Sequence, residues 1–242
     1  MISAWTLWPR VLVIAIGLIG ILWGVSEFPM FRRETTISNI ARRILAGDQF
    51  KSEILLNQAS LVERVDKPAT CRPLTLRSAA VVRLRIAEIS DNSGLAPGPV
   101  RTNLAVDAIR NSLSCLPADP FLWLGLFALD RSAQLSYLRA SYQLGPSEGW
   151  IAVRRNPVAF EDFDELPEDL RSTVVQEFLR IVEMDLYDEA MKIFVGPAWD
   201  MKELILSQMG HVSLRQRQNL AVRLDAAGYD VIVPGTTLKT SQ

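Results

Sequence analysis

The residues Gly145-Pro146-Ser147-Glu148-Gly149 have the G-x-S-x-G spacing of a nucleophile elbow, in which a serine attacks an acyl carbon. His211, the only histidine, lies downstream and could act as the general base, with many acidic residues between the two. An elbow requires a strand before its serine, whereas residues 135–142 have a helical pattern. We therefore favour a helix end and a turn, with Ser147 as the N-cap and Glu148 in the first turn of the next helix. His211 is then an exposed or capping residue.

Two charged segments that follow could bind ions. The acidic run Glu161–Asp169 could in principle bind Ca²⁺, but it lacks the glycine and the ligand spacing of an EF-hand. A solvated loop that then caps a helix is the favoured interpretation. Arg154 and Arg155 precede the run, and we predict that they form structural ion pairs with Glu161–Glu165. An anionic-ligand site built on the two arginines is the alternative.

Composition excludes several classes of function. The chain has 242 residues, with 26 Lys and Arg against 27 Asp and Glu, and this balance argues against a dedicated nucleic-acid-binding protein. One histidine and two cysteines make a structural zinc site or a histidine-ligated redox metal improbable. The sequence contains no Walker A motif, Rossmann fingerprint, H-E-x-x-H or C-x-x-C. We therefore predict a protein that is not an enzyme and uses no cofactor.

Residues 5–25 are predicted to form an N-terminal transmembrane helix. Within them, Val11–Val25 contains no charged residue, and the whole segment of about 21 residues is close to the ~20 needed to cross the hydrocarbon core. Tryptophans lie near both ends, where indole rings favour the membrane–water interface: Trp5, Trp8 and Trp23. A cleavable signal peptide is the alternative, but Gly24 and Ser26 offer only a poor small-x-small cleavage site.

The residues themselves leave the orientation of this helix open. A positive-inside count favours a cytoplasmic domain, because only Arg10 and the amino terminus lie on the N-terminal side of the uncharged segment, whereas four arginines follow it: Arg32, Arg33, Arg42 and Arg43. Against that count, Arg10 directly adjoins the apolar segment and Glu27 is the first charged residue after it. Two cysteines also favour an oxidising compartment.

Nearly every later segment has a helical period, so the fold class is predicted to be all-α. Ile37, Ile40, Ala41 and Ile44, for example, lie on one face of a helix. The predicted organisation follows the changes in pattern along the chain: an anchor at 1–26, a juxtamembrane linker at 27–35, a helical domain at 36–230 and an extended tail at 231–242.

Two segments of the helical domain resemble the end of a tetratricopeptide (TPR) repeat. Ser112–Pro117 and Ser141–Pro146 each have a small residue, an apolar residue and a terminal proline, and a tryptophan follows each segment, Trp123 or Trp150. The small residue lets paired helices approach, and the proline stops the second helix. The second unit is shorter than a regular repeat, so we predict TPR-like helical hairpins.

Cys71 and Cys115 lie at predicted helix borders, beside prolines. In the cytosol they would be two free thiols, whereas in an oxidising compartment we expect a disulfide. Helices at 74–89 and 100–116 can pack antiparallel across the loop 91–99. That packing returns the end of the second helix to Cys71.

Residues 115–123 and 141–157 resemble a group of single-pass, TPR-like proteins associated with bacterial exopolysaccharide biosynthesis clusters. The layout is also similar: a short anchor, a helical extracytoplasmic domain and a cysteine pair. The resemblance implies a scaffold or accessory role in polysaccharide assembly or export, with a periplasmic domain on the bacterial inner membrane. Its partners would be inner-membrane or periplasmic proteins of that machine. The alternatives are a hydrolase or polysaccharide-modifying enzyme that uses Ser147 or the acidic loop, and an assembly factor of another inner-membrane complex.

Overall fold

The computed structural model describes residues 4–63, 71–92, 99–129 and 135–236. Throughout these ranges the secondary structure is helical, with no strand, so the all-α prediction is confirmed. Among the residues described, no helix is both long enough and apolar enough to span a membrane. The chain divides into two compact units, Met1–Pro117 and Ala118–Gln242.

Unit 1 is built around one central helix. The described part of unit 1 contains the helices α1 (Ala4–Leu45), α2 (Ser52–Asn57), α3 (Ala59–Glu63), α4 (Pro73–Asn92) and α5 (Pro99–Cys115). Residues 79–84 of α4 are all buried, because α1 packs against one side of this helix and α5 against another. The burial extends over six consecutive residues and therefore covers every face of this part of α4, including the charged Arg83.

Side-chain contacts fix the directions of the helices in unit 1. Arg72 forms an ion pair with Glu34, and Ser78 Oγ lies 3.3 Å from Ser38 Oγ, so α4 runs parallel to α1. Helix α5 runs back along α4, because its last residue, Cys115, lies beside Cys71 at the start of α4. The start of α4 and the end of α5 therefore lie at the same end of unit 1, at the level of Glu34.

Helix α1 is continuous through the segment that we predicted to be a linker. Residues 27–35 lie inside its 42-residue length. The segment predicted as a linker therefore has a helical backbone. The helix continues through Pro29 and leads directly into Ile37 and Ala41, which are buried in unit 1.

Unit 2 consists of helical hairpins. Its helices are α6 (Pro120–Leu129), α7 (Leu135–Leu144), α8 (Gly149–Glu161), α9 (Glu168–Glu183), α10 (Tyr187–Val195), α11 (Lys202–Gln208) and α12 (Leu214–Ala226), with short 3₁₀ turns between some of them. Helices α6 and α7 pack together, as do α8 and α9. The core includes an aromatic series in which neighbouring rings are in contact: Phe163, Phe160, Phe178, Phe194 and Trp199.

We predicted one helical domain at 36–230, whereas the structure has a unit boundary after Pro117. Pro117 has no N–H to continue α5 and disfavours a helical conformation at Leu116. Helix α5 therefore ends before Pro117. The predicted tail at 231–242 is irregular as far as residue 236, with Val233 buried, and residues 237–242 lie outside the described ranges.

Three helices end in the same backbone motif. After α1 and α12, Gly47 and Gly228 have φ values of +91° and +83°, and after α9 Asp185 has φ 61°. In each case the N–H groups of the left-handed residue and of the residue after it donate to carbonyls in the last turn of the helix. Gly228 N–H, for example, donates to Asp225 O at 2.8 Å, and Tyr229 N–H donates to Leu224 O at 3.0 Å. This is the Schellman motif, which needs a left-handed residue just beyond the helix.

Candidate functional site

Arg155 lies at the centre of unit 2, where its side chain is completely buried. Its guanidinium group forms an ion pair with the equally buried Glu177 of α9, donating from Nε to Oε1 at 3.1 Å and also from Nη2. A charge is stable in such a place only when it is paired and hydrogen-bonded. The remaining N–H groups of Arg155 are hydrogen-bonded as well.

Those donors bind the carboxyl end of α7. Nη1 donates to the carbonyl and hydroxyl oxygens of Ser141, and Nη2 donates to Gly145 O at 3.0 Å. The last carbonyls of a helix have no partner within that helix, and the helix dipole makes this end negative. Arg155 therefore satisfies the end of α7 and connects it to α9.

Two neighbours complete the polar cluster. Asn156 donates from Nδ2 to Val174 O at 2.9 Å, and Arg155 Cζ lies 4.0 Å from the ring centre of Tyr142. Burial raises the pKa of Tyr142 well above its usual value, and the negative charge of Glu177 raises it further. The phenol therefore stays neutral beside the ion pair.

A cavity of about 260 Å³ opens beside this cluster. Its lining comes from the α7–α8 turn, α8 and the second half of α9: Pro146, Ser147, Ala152, Glu177, Arg180, Glu183 and Met184. None of these residues is a histidine, so no imidazole base lines the cavity beside Ser147. The volume suits a small group. Because the carboxylates of Glu177 and Glu183 and the guanidinium of Arg180 line the cavity, such a group would need both hydrogen-bond donors and acceptors.

Ser147 is part of a turn between two helices, as the sequence indicated. The proposed capping role was wrong, however: Glu148 is the N-cap of α8, and Gly149 is its first residue. The Glu148 carboxylate accepts a hydrogen bond from Trp150 Nε1 at 3.0 Å instead of capping the helix. His211 is exposed and ends the 3₁₀ turn that separates α11 from α12.

The two arginines that we predicted to pair with the acidic run point in different directions from α8. Arg155 points into the core and binds Glu177, whereas Arg154 lies 5.6 Å from the ring centre of Trp150 and donates to Trp150 O. Adjacent residues on a helix point about 100° apart, so one partner could not serve both. The carbonyl oxygens of Asp164 and Leu166, both within the run, accept hydrogen bonds from Arg171.

The acidic run itself lines a second cavity of about 270 Å³ with Asp200 and Met201. Within the described ranges, no group of three or more histidine, cysteine or acidic residues is arranged to hold a metal ion. The run begins with the last turn of α8, continues as a 3₁₀ turn at Phe163–Glu165 and leads into α9. Phe163, which is buried, fixes its position.

Cys71 and Cys115 lie at disulfide-bonding distance, with their Cα atoms 5.7 Å apart. Disulfides usually join Cα atoms that are 4.4 to 6.8 Å apart. The antiparallel packing of α4 and α5, which the sequence indicated, brings the two residues together.

Sequence reasoning missed Glu177 and Tyr142. Glu177 is the one acidic residue within the apolar stripe of α9, among Val174, Phe178 and Ile181, and such a residue signals a buried charge that needs a partner. That signal could have identified Glu177, although not the residue that it binds.

Comparison with known proteins gives no match: no protein family, curated protein or solved structure is similar to this chain.

Proposed function

We propose that this chain is a membrane-anchored helical scaffold that binds protein partners of an envelope-polysaccharide assembly or export machine. The observation that carries the proposal is the architecture. One continuous helix, α1, leads from an exposed apolar segment into unit 1. In unit 2, the buried ion pair of Arg155 and Glu177 joins helices of the same unit.

The anchor is supported by the exposure of α1. Residues 11–26 of this helix are all exposed, whereas Ile37 and Ala41, farther along, are buried. Exposed isoleucines, leucines and valines along more than four helical turns are costly in water, and contact with lipid would remove that cost. We therefore propose that residues 5–25 bind the bilayer, on the inner membrane of a bacterium, with the helical units in the periplasm.

The scaffold role is supported by the TPR-like hairpins of unit 2 and by the residues at 115–123 and 141–157. Paired helices present extended side-chain surfaces that suit the recognition of a peptide or a helix. The cavity beside Ser147 has no histidine in its lining, so the serine–histidine pair of the hydrolase alternative is not assembled there.

Chemical cross-linking in native membranes, followed by purification and mass spectrometry, tests the proposal. We expect enrichment of glycosyltransferases or polysaccharide-export proteins, and consistent enrichment of subunits of a different membrane complex would contradict it. A bait in which an unrelated single-pass anchor replaces residues 1–26 is the control, because it separates partners of the helical units from partners of α1.

The orientation has its own test. We expect a carboxyl-terminal alkaline phosphatase fusion to be active, because this enzyme folds only where disulfides form. An inactive phosphatase fusion, together with a fluorescent cytoplasmic reporter at the same position, would reverse the orientation without removing the anchor.

A further inference from the structure

One end of unit 1 exposes apolar side chains at the level where α1 enters the unit. We call these residues the anchor-side rim: Cys71, Pro73, Leu74, Leu116 and Pro117. Leu74 is 76% exposed and Leu116 is 38% exposed, and both lie near the pair Cys71 and Cys115. An isolated exposed leucine needs no explanation, whereas this rim collects two leucines and two prolines at one end of the unit.

The rim faces the apolar segment of α1. Because α4 runs parallel to α1, the first turn of α4 is directed back toward the amino-terminal half of α1. Helical side chains also tilt toward the amino terminus of their own helix, so Leu74 extends in that direction. Leu116 reaches the same level because α5 runs antiparallel to α4.

The sequence places this level at the membrane interface. After Glu27 the chain reads Phe28-Pro29-Met30-Phe31 and then Arg32-Arg33, so apolar residues are followed directly by basic ones. Basic residues just beyond a span suit the phosphate groups of lipids, and Arg32 is exposed. Glu34, which binds Arg72 beside the rim, follows these basic residues directly in the sequence. Since a helix rises about 1.5 Å per residue, the rim lies within a few ångströms of the level of Arg32 along α1.

We propose that the anchor-side rim is a membrane-contacting surface, on which Leu74 and Leu116 enter the headgroup region of the bilayer that holds α1. This inference rests on the proposed anchor and adds a defined orientation of unit 1. The occupant is the lipid surface, because the rim lies on the side of unit 1 from which the exposed apolar part of α1 extends, and the exposed Arg32 matches anionic lipid phosphates.

Site-specific photo-cross-linking of the full chain tests this contact. The photoreactive residue p-benzoylphenylalanine replaces Leu74, and the protein is reconstituted into vesicles of equal parts phosphatidylethanolamine and radiolabelled phosphatidylglycerol. The matched control is Val100, which is 66% exposed in the first turn of α5 and lies at the opposite end of unit 1. Leu18, in the exposed part of α1, reports on the anchor, and Leu116 provides a second rim position.

We expect lipid adducts at positions 18, 74 and 116 and no adducts at position 100. Adducts at 18 with none at 74 and 116 would overturn the rim proposal while leaving the anchor intact. Equal adducts at 74 and 100 would also overturn it, because the contact would then not be specific to one end. The absence of adducts at position 18 would overturn the anchor, and the rim proposal with it.

Discussion

At the scale of single residues, the ion pair of Arg155 and Glu177 is the main polar feature of unit 2. It connects three helices, because Arg155 on α8 binds Glu177 on α9 and the carbonyls at the end of α7. The pair therefore stabilises the geometry of two consecutive hairpins. A buried pair does not by itself guarantee net stability, since desolvation offsets much of the attraction between the charges.

We predict that Arg155→Met lowers the free energy of unfolding by about 3–5 kcal/mol, because it leaves Glu177 buried without its cation. Denaturant titration of the full chain, followed by tryptophan fluorescence, measures the change. Arg154→Met is the matched control at the adjacent, surface-facing position, and we expect a loss of less than about 1 kcal/mol there.

A double variant separates the charge pair from the helix-end contacts. Arg155→Met with Glu177→Leu should be less destabilised than either single variant, since no charge remains unpaired. It should not recover fully, because the carbonyls of Ser141 and Gly145 still lose the hydrogen bonds from Arg155, although Ser141 O keeps the one from Gly145 N–H. Strict additivity of the two single changes would contradict the pairing.

Tyr142 predicts a dependence on alkaline pH. Its raised pKa means that the folded chain keeps the phenol proton where the unfolded chain, with a pKa of about 10, has lost it. Stability therefore falls as the pH rises above about 10, because the folded state binds more protons than the unfolded state.

We expect Tyr142→Phe to reduce this alkaline loss and to change stability little at neutral pH, because the buried hydroxyl makes no hydrogen bond with the described residues. Thermal unfolding followed across neutral and alkaline pH measures the difference. Tyr229→Phe, at an exposed position, is the control. Parallel pH profiles for wild type and Tyr142→Phe would refute the argument.

At the scale of elements, the ends of the helices are determined by local backbone chemistry. Gly228 has a left-handed φ of +83°, and a Cβ added there would meet no atom within 4 Å. The cost of a side chain at this position is therefore conformational and not steric. Ser213 begins the same helix by accepting a hydrogen bond from Gln216 N–H, so α12 has a defined cap at each end.

We predict that Gly228→Ala destabilises the chain by about 1–2 kcal/mol, the penalty for a left-handed residue with a Cβ. Gly210→Ala is the matched control: that position also has open space, but its φ is not left-handed. We expect it to be neutral or slightly stabilising. Circular dichroism during heating compares the two, and equal effects would show that the left-handed φ is not the cause.

At the scale of the whole molecule, the two compact units predict separate responses to reduction. The cysteine pair lies entirely in unit 1 and closes a loop with a sequence separation of 44. A cross-link of that length contributes about 4 kcal/mol in the chain-entropy model. Unit 2 contains neither cysteine.

Reduction should therefore raise the hydrogen exchange of α4 and α5 and leave that of α9 unchanged. Hydrogen exchange read by mass spectrometry, with and without reductant, measures both regions in one experiment. The Cys71→Ser and Cys115→Ser double variant, untreated, should match the reduced wild type. Faster exchange in α9 on reduction would show that the units unfold together.

The sequence by itself determined the helical fold class and the proximity of the two cysteines, because these depend on short-range rules. Apolar periodicity predicts a helix, while Gly47 and Gly228 end one and Ser213 begins one, through contacts within a few residues. The pairing of Cys71 with Cys115 also followed from local signals, since two helices joined by one loop pack antiparallel.

Tertiary structure alone decided the partner of Arg155, the continuity of α1 and the boundary after Pro117. Arg155 and Glu177 are 22 positions apart, and only the packing of α8 against α9 selects Glu177 over the nearer acidic residues. Residues 27–35 belong to the helix that leads into Ile37 and Ala41, which are buried in unit 1. Such long-range burial leaves no periodic signal in the segment that precedes it.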